Sequence, residues 1–199
     1  MKMKTRRVIV SCLIFAVLIS SPLRAMMIKL SLSDLVRRAD AIIIGQVKAV
    51  GCEWSLNKEI IHTVAALQIE EILKGDLVFP LLYIQVPGGT IGDLTLGVSD
   101  VSVFAEGERV LVFIKSLGNT INIQNSMTVA QNSWASFEVL GKAQGKYSLD
   151  KNGMASKDGY ELVSPDKERD TLLPLEELKF KIQNFLPRGI KKVAEHHEI

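Results

Sequence analysis

The residues of this chain that could do covalent or acid–base chemistry are few and scattered: three histidines, two cysteines, and serines and carboxylates spread along its length. His62 stands in a run that alternates polar and apolar residues, and His196 and His197 sit between Glu195 and Glu198 in a polar terminal stretch. A zinc site needs three or four ligands converging from ordered elements, so the terminal pair reads as solvated side chains. Ser99, Asp100 and His62 are the residue types of a hydrolytic triad, but no elbow motif surrounds the serine, and Asp100 reads as the cap of a turn. Pro87-Gly88-Gly89-Thr90-Ile91-Gly92 is glycine-rich enough to cradle a phosphate, yet it lacks the P-loop lysine and leads toward more strand, which favours a tight loop at the end of a β layer. Asp150-Lys151-Asn152-Gly153 opens like a calcium loop without the later ligand positions, and reads as a hairpin turn. The sequence therefore implies no catalytic residue, no cofactor and no metal. It offers instead a candidate binding loop, carried by Pro87, Gly88, Gly89, Asp93 and Asp100, and one candidate intermolecular thiol, Cys52.

The elements that would position these residues follow an export signal. Lys2, Lys4, Arg6 and Arg7 form a basic start, Val8 to Ile19 is apolar but for Ser11, and Leu23-Arg24-Ala25 offers a small residue for cleavage, which is the pattern of a secretory signal over residues 1–25. The apolar run is about twelve residues, against the roughly 18–20 needed to span a bilayer, so a retained anchor is the alternative and no stable membrane span is expected after cleavage. Ile9-Val10-Ser11-Cys12 resembles a lipidation box only superficially, because most of the apolar segment follows Cys12 instead of preceding it. The whole chain carries a formal charge of +2, and removing the five basic residues of the signal leaves −3. A mildly acidic mature chain gives no electrostatic case for nucleic acid. It also keeps a single cysteine, Cys52, which cannot form an intrachain disulfide; burial at the end of an apolar strand and pairing between chains are its two readings, with burial the expected one.

Residues 26–186 read as one β-rich domain and 187–199 as a flexible polar tail. Ser31 and Asp34 have capping-box spacing ahead of a short helix whose Leu32, Leu35, Val36 and Ala39 share a face. Ala41 to Val50 is a strand apolar on both faces at Ile42-Ile43-Ile44 and hence central; Gly45 marks a bulge or the close approach of another backbone. Ser55 to Lys58 is a turn, and Ile61 to Ile69 alternates with a period of two. Leu81 to Val86 is a third strand, followed by a Gly-rich loop or irregular edge strand through Gly92-Asp93 and Gly97. Arg109 to Lys115 is interior. Ile121 to Gln124, Trp134 to Leu140 and Lys146 to Leu149 are further strands, the last entering a hairpin about Asn152-Gly153, a favoured type I′ pair. Asp158-Gly159 suggests another turn and Ser164 to Asp170 a polar connection. Pro174 starts a terminal helix with Leu175, Leu178, Ile182 and Phe185 on one face, ended by Pro187. Short strands with glycine turns and two small helices imply an antiparallel β-barrel or sandwich.

One ordered set of motifs resembles a known family. Leu35-Val36-Arg37-Arg38-Ala39-Asp40-Ala41-Ile42-Ile43-Ile44-Gly45-Gln46-Val47 is followed by Ile69-Glu70-Glu71-Ile72-Leu73-Lys74-Gly75 and then by Phe104-Ala105-Glu106-Gly107-Glu108-Arg109-Val110-Leu111-Val112-Phe113. A helix ending in Ala-Asp, a Gly-x-Val strand, a strand ending in Lys-Gly and a Gly-Glu-x-x-Leu strand, in this order, resemble the netrin-like modules of tissue inhibitors of metalloproteinases and their bacterial relatives. The set is also similar to exported bacterial and archaeal proteins with a Pro-Gly-Gly loop like Pro87-Gly88-Gly89. The resemblance covers roughly residues 31–115 and implies an OB-like (netrin-like) barrel. It does not carry inhibition with it: the inhibitors begin with a zinc-binding cysteine and are rich in disulfides, whereas the mature start here falls at Met26 or Met27 and only Cys52 remains.

OB barrels also use exposed aromatics to stack sugars or bases. Trp54, Tyr83, Phe104, Trp134, Phe137 and Tyr147 are the available rings, and as strand aromatics they are expected in the core. The functional expectation is a secreted or periplasmic, non-catalytic binding or structural module for a protein or glycan of the cell envelope, with no nucleic acid partner. Loops Gly88–Asp100 and Asn125–Ser133 would form the recognition surface. The alternative is a cell-envelope hydrolase built around His62, Asp100 and Ser99.

Overall fold

The computed structural model describes residues 30–55, 57–121, 134–157 and 172–187. The export signal with Cys12, the mature start, the Asn125–Ser133 loop, the Asp158-Gly159 turn, the Ser164–Asp170 connection, the terminal histidines and the tail beyond Pro187 lie outside the described residues.

Helix α1 (Leu32–Arg38) begins as its capping residues require: the Ser31 hydroxyl accepts the Asp34 N–H at 3.1 Å and donates to the Asp34 carboxylate at 2.6 Å. Strands β1 (Ala41–Trp54) and β2 (Ile61–Lys74) form a long antiparallel pair. Ten strands follow in all among the described residues, adding β3 (Leu81–Pro87), β4 (Gly89–Ile91), β5 (Leu94–Leu96), β6 (Arg109–Ile121), β7 (Trp134–Val139), β8 (Lys146–Leu149), β9 (Met154–Ser156) and β10 (Leu172–Pro174), before helix α2 (Leu175–Phe185). A 3-10 turn, Lys142–Gly145, leads into β8.

Eight strands make one mixed sheet in the order β1-β2-β3-β7-β6-β8-β9-β10, and β1 pairs with β6 as well as with β2. The pairings from β1 through β2, β3, β7 and β6 therefore return to β1. The expectation of purely antiparallel pairing is corrected at β3–β7, which run parallel with Ile84 opposite Phe137. Short connections force antiparallel neighbours, but β3 and β7 are separated by β4 to β6, so no such constraint applies to them.

β1 sits at the centre because it feeds two cores. Ile42 and Ile44 join Leu111 and Phe113 beneath the helices, with Leu35, Leu178 and Ile182. Ala41, Ile43 and Val47 face the other way, onto Ala65, Leu67, Ile84, Val110, Val112 and Ile114. This is why the Ile triplet is apolar on both faces; each such side chain contributes about 1.5–3 kcal/mol when buried. Register shifts interrupt the β1–β2 ladder at Ile42/Ile43, Ile44/Gly45 and Val47/Ala49, so the pair bends strongly. Gly45 serves both of its expected roles, lying at a shift and so close to β2 that a Cβ there would be 2.4 Å from the Gln68 carbonyl oxygen.

Three local expectations are corrected. The β8–β9 turn is not type I′, since Gly153 has φ 77° but Asn152 does not share a positive φ. Asp150 N–H donates to Met154 O at 2.9 Å and Gly153 N–H to Asp150 O at 3.2 Å, giving a three-residue loop with glycine in the left-handed position. Phe185 is 48% exposed, and Leu186 takes its expected place in the core because its N–H caps Ile182 O and turns the chain inward. The stretch after Pro87 is neither loop nor edge of the main sheet: β4 and β5 form a separate two-stranded hairpin.

Candidate functional site

The candidate loop is built on the far ends of β1 and β2. Pro87 closes β3 opposite His62, Gly88 N–H donates to Ile61 O at 2.8 Å, and the Thr63 hydroxyl donates to Gly88 O at 2.8 Å. Gly89 has φ 140°, and a Cβ on it would stand 2.6 Å from Cys52 Sγ and 2.8 Å from Thr63 Oγ1. Only glycine combines that backbone with that approach. The structure thus brings Gly89, the last of the three, onto the one thiol that the sequence singled out, while Pro87 and Gly88 fasten to β2 beside it. Asp93 lies beyond them in the exposed β4–β5 turn, above a Thr90–Thr95 hydroxyl pair at 3.0 Å. Asp100 does not join them: it has φ 60°, and its carbonyl accepts the Ala143 N–H at 3.0 Å beside the 3-10 turn.

Cys52 is exposed, which corrects the expectation of burial. β1 overruns the core after Val50, so Gly51 to Trp54 pair with β2 along one edge and are otherwise touched lightly, by Gly89 at Cys52 and by Gln85, whose amide donates to Glu53 at 3.2 Å. The thiol lies 3.6 Å from Thr63 Oγ1 and opposite Thr63 in the ladder. Trp54, two residues on, is also exposed. Tyr83, Phe137 and Tyr147 are buried, as strand aromatics were expected to be, and Phe104 is buried from outside any strand; Trp134 opens β7.

His62 faces Glu53 across the ladder, whereas Asp100 sits at the 3-10 turn, and no hydrogen bond among the described residues joins His62 to Ser99 or Asp100. The chain from Pro87 runs into β4, not into a helix N-terminus, so the backbone donors of a phosphate cradle are not gathered there. Among the described residues no group of three or more His, Cys, Asp or Glu side chains is placed to hold a metal, and no helix is long and apolar enough to cross a membrane.

The motif residues do their work as fastenings. Lys74 Nζ donates to Val36 O at 2.8 Å, to Arg37 O at 3.3 Å and to Ala39 O, capping the C-terminus of α1. Burial of that amine lowers its pKa from the ordinary lysine value, against the opposing pull of Asp40. Asp40 N–H donates to Ile114 O at 2.9 Å, while its carboxylate accepts the Ser116 N–H at 2.9 Å. At the α1 N-terminus the Ser31 hydroxyl, helped by Arg37 and Arg38, holds the Asp34 carboxyl below its ordinary pKa in spite of the desolvation that opposes it.

One cluster escaped sequence reasoning. Lys146 is buried, and its Nζ donates to Glu108 Oε1 at 2.5 Å, Val103 O at 2.6 Å and Ser148 Oγ at 3.2 Å, 5.2 Å above the Phe104 ring centroid. Ser148 Oγ donates to the same Glu108 oxygen at 2.6 Å. A serine beside a lysine suggests a Ser–Lys nucleophile, but here the amine's protons are committed to three acceptors and the hydroxyl proton points at Glu108, so neither group activates the other. The only signal in sequence was the alternation Lys146-Tyr147-Ser148-Leu149, which puts Lys146 and Ser148 on one face; their partner Glu108 is remote in the chain.

No protein-family model matches the chain, and no curated protein matches it.

Proposed function

We propose that this chain is an exported, non-catalytic binding module: an OB-like barrel of the netrin-like kind that presents the β4–β5 hairpin to a protein or glycan of the cell envelope. The returning circuit of five strands, bent by bulges, supports the barrel reading, since closure of a small sheet needs such bends. The observation that carries the binding reading is the hairpin itself. It is a short, exposed projection with a Gly92-Asp93 turn and a Thr90–Thr95 pair, tied to β2 through Gly88 and Thr63 and packed on β1 where Gly89 meets Cys52. A small polar element on a rigid frame is the usual form of a recognition surface. The secreted or periplasmic location rests on the basic and apolar pattern of residues 1–25.

The test compares the processed protein with an Asp93→Ala/Thr95→Ala variant on an array of envelope glycans and in pull-downs from envelope extract. Ligands retained by the former and lost by the latter support the reading; empty results in both formats remove it. The exposure of Cys52 favours a second reading, assembly into a disulfide-linked dimer. A non-reducing gel of exported protein decides it: a band at twice the monomer mass supports pairing, and a monomer with a titratable thiol rules it out.

A further inference from the structure

We propose that the connection Asp100–Glu108 is a strap that opens as a unit of its own, and that the Lys146–Glu108–Ser148 cluster is its latch. The strap carries no regular secondary structure, yet it closes over the second core, where Phe104 is buried with Val47, Val110 and Val112. Its flanks leave little else to hold it: Val103 is 76% exposed, and Ala105, Glu106 and Gly107 are exposed as well.

The ties are unequally placed. At one end Ala143 N–H donates to Asp100 O, and the Ser102 hydroxyl donates to Lys142 O at 3.2 Å. At the other, Val47 N–H donates to Glu108 O at 2.8 Å and Gly107 N–H to Val47 O at 2.9 Å, where β1 and β6 part. Between them Lys146 grips Val103 O and Glu108 at once, Glu108 Oε2 accepts the Ala105 N–H at 3.1 Å, and two long bonds reach the strap from β1, Gln46 Nε2 to Gly107 O at 3.4 Å and Val50 N–H to Glu106 at 3.3 Å. One carboxylate therefore serves an amine, a hydroxyl and a backbone N–H. The neighbouring charges are engaged elsewhere: Glu106 accepts the Val50 N–H, Arg109 pairs with Glu70, and Lys48 bonds Gln46. None of them replaces Glu108 at the amine.

A segment with one buried apolar anchor, backbone ties only at its two ends and side-chain ties between them opens locally before the ladders beneath it do. Removing the charge on Glu108 leaves the buried Lys146 cation without its counter-ion, a loss borne by the strap that both residues tether. Opening exposes Phe104 and the Val47–Val110–Val112 surface, so the strap governs access to the second core.

Hydrogen exchange on the processed protein tests this with Glu108→Gln, which keeps the shape and removes the charge. The expected result is exchange of the Ala105 and Gly107 amides, the ones bonded to Glu108 and Val47, faster by about tenfold or more, with β2, β3 and α2 amides unchanged. A second variant, Glu108→Gln/Lys146→Met, removes the stranded cation and is expected to recover part of the protection. Exchange that stays at the parental rate in Glu108→Gln overturns the proposal. Exchange that accelerates equally in every element, or failure of Glu108→Gln to fold, overturns it too, because the cluster would then hold the whole domain and not a strap.

Discussion

Adding one methyl group at Gly45 tests the β1–β2 frame at its tightest point. A Cβ there would lie 2.4 Å from the Gln68 carbonyl oxygen and 3.1 Å from Leu67 Cγ, in the centre of the molecule. Ordinary carbon–oxygen contacts begin near about 3.3 Å, so β2 must recede by about 1 Å. Overpacking of this kind costs about 1–3 kcal/mol, and the weakened ladder hydrogen bonds about 1 kcal/mol more. Against this stands a gain of about 0.5–1 kcal/mol from replacing glycine within a strand. Gly45→Ala should therefore lose about 1–3.5 kcal/mol, which for a domain of this size lowers Tm by about 2–14 °C. Gly51→Ala is the control on the same strand: nothing lies within 4 Å of its would-be Cβ, so stability should hold or rise slightly. Urea and thermal unfolding of both variants, followed by circular dichroism, give the comparison. If Gly45→Ala proves as stable as Gly51→Ala, the close approach and the bulged register are wrong.

Lys74→Met should destabilise by about 1–2 kcal/mol in urea unfolding, because the last carbonyls of α1 lose their donor. The folded state binds the Lys74 proton less tightly than the unfolded chain does, so parental stability should rise with pH between the lowered folded value and the ordinary lysine range; that rise should be absent from Lys74→Met. Ser31→Ala should cost about 1 kcal/mol through loss of the N-cap. It should also flatten an acid-side trend: the Asp34 contribution is present above the ordinary aspartate pKa and is lost as pH falls through its lowered folded value, so the two proteins should converge in acid.

What could be read from the sequence was whatever depends on near neighbours. The Ser31–Asp34 spacing, the alternation from Ile61 and the Ile42-Ile43-Ile44 triplet each express one local rule, and the α1 cap, β2 and the central position of β1 follow them. The loop after β3 and the thiol were legible as candidates, but their meeting at Gly89 was not, because it depends on how far β1 runs past the core. For the same reason Cys52 was expected inside. The parallel β3–β7 pair and the β1–β6 contact join segments far apart in the chain, where no periodicity speaks. The Lys146–Glu108–Ser148 cluster was hidden likewise: a lysine at a strand start reads as solvated until the strap that covers it is placed.

The fold requires β1 to be flanked by β2 and β6 while β7 lies parallel to β3, an arrangement that isotope-edited nuclear Overhauser spectra of the processed protein report without intermediaries. Backbone cross-peaks linking Ile43 to Val112, Ile44 to Leu111 and Ile84 to Phe137 in one sample are the result it predicts. Spectra that keep the β1–β2 peaks but lack those to Val112 and Phe137 would contradict it, leaving an open hairpin stack without the circuit that positions the hairpin, the thiol and the strap.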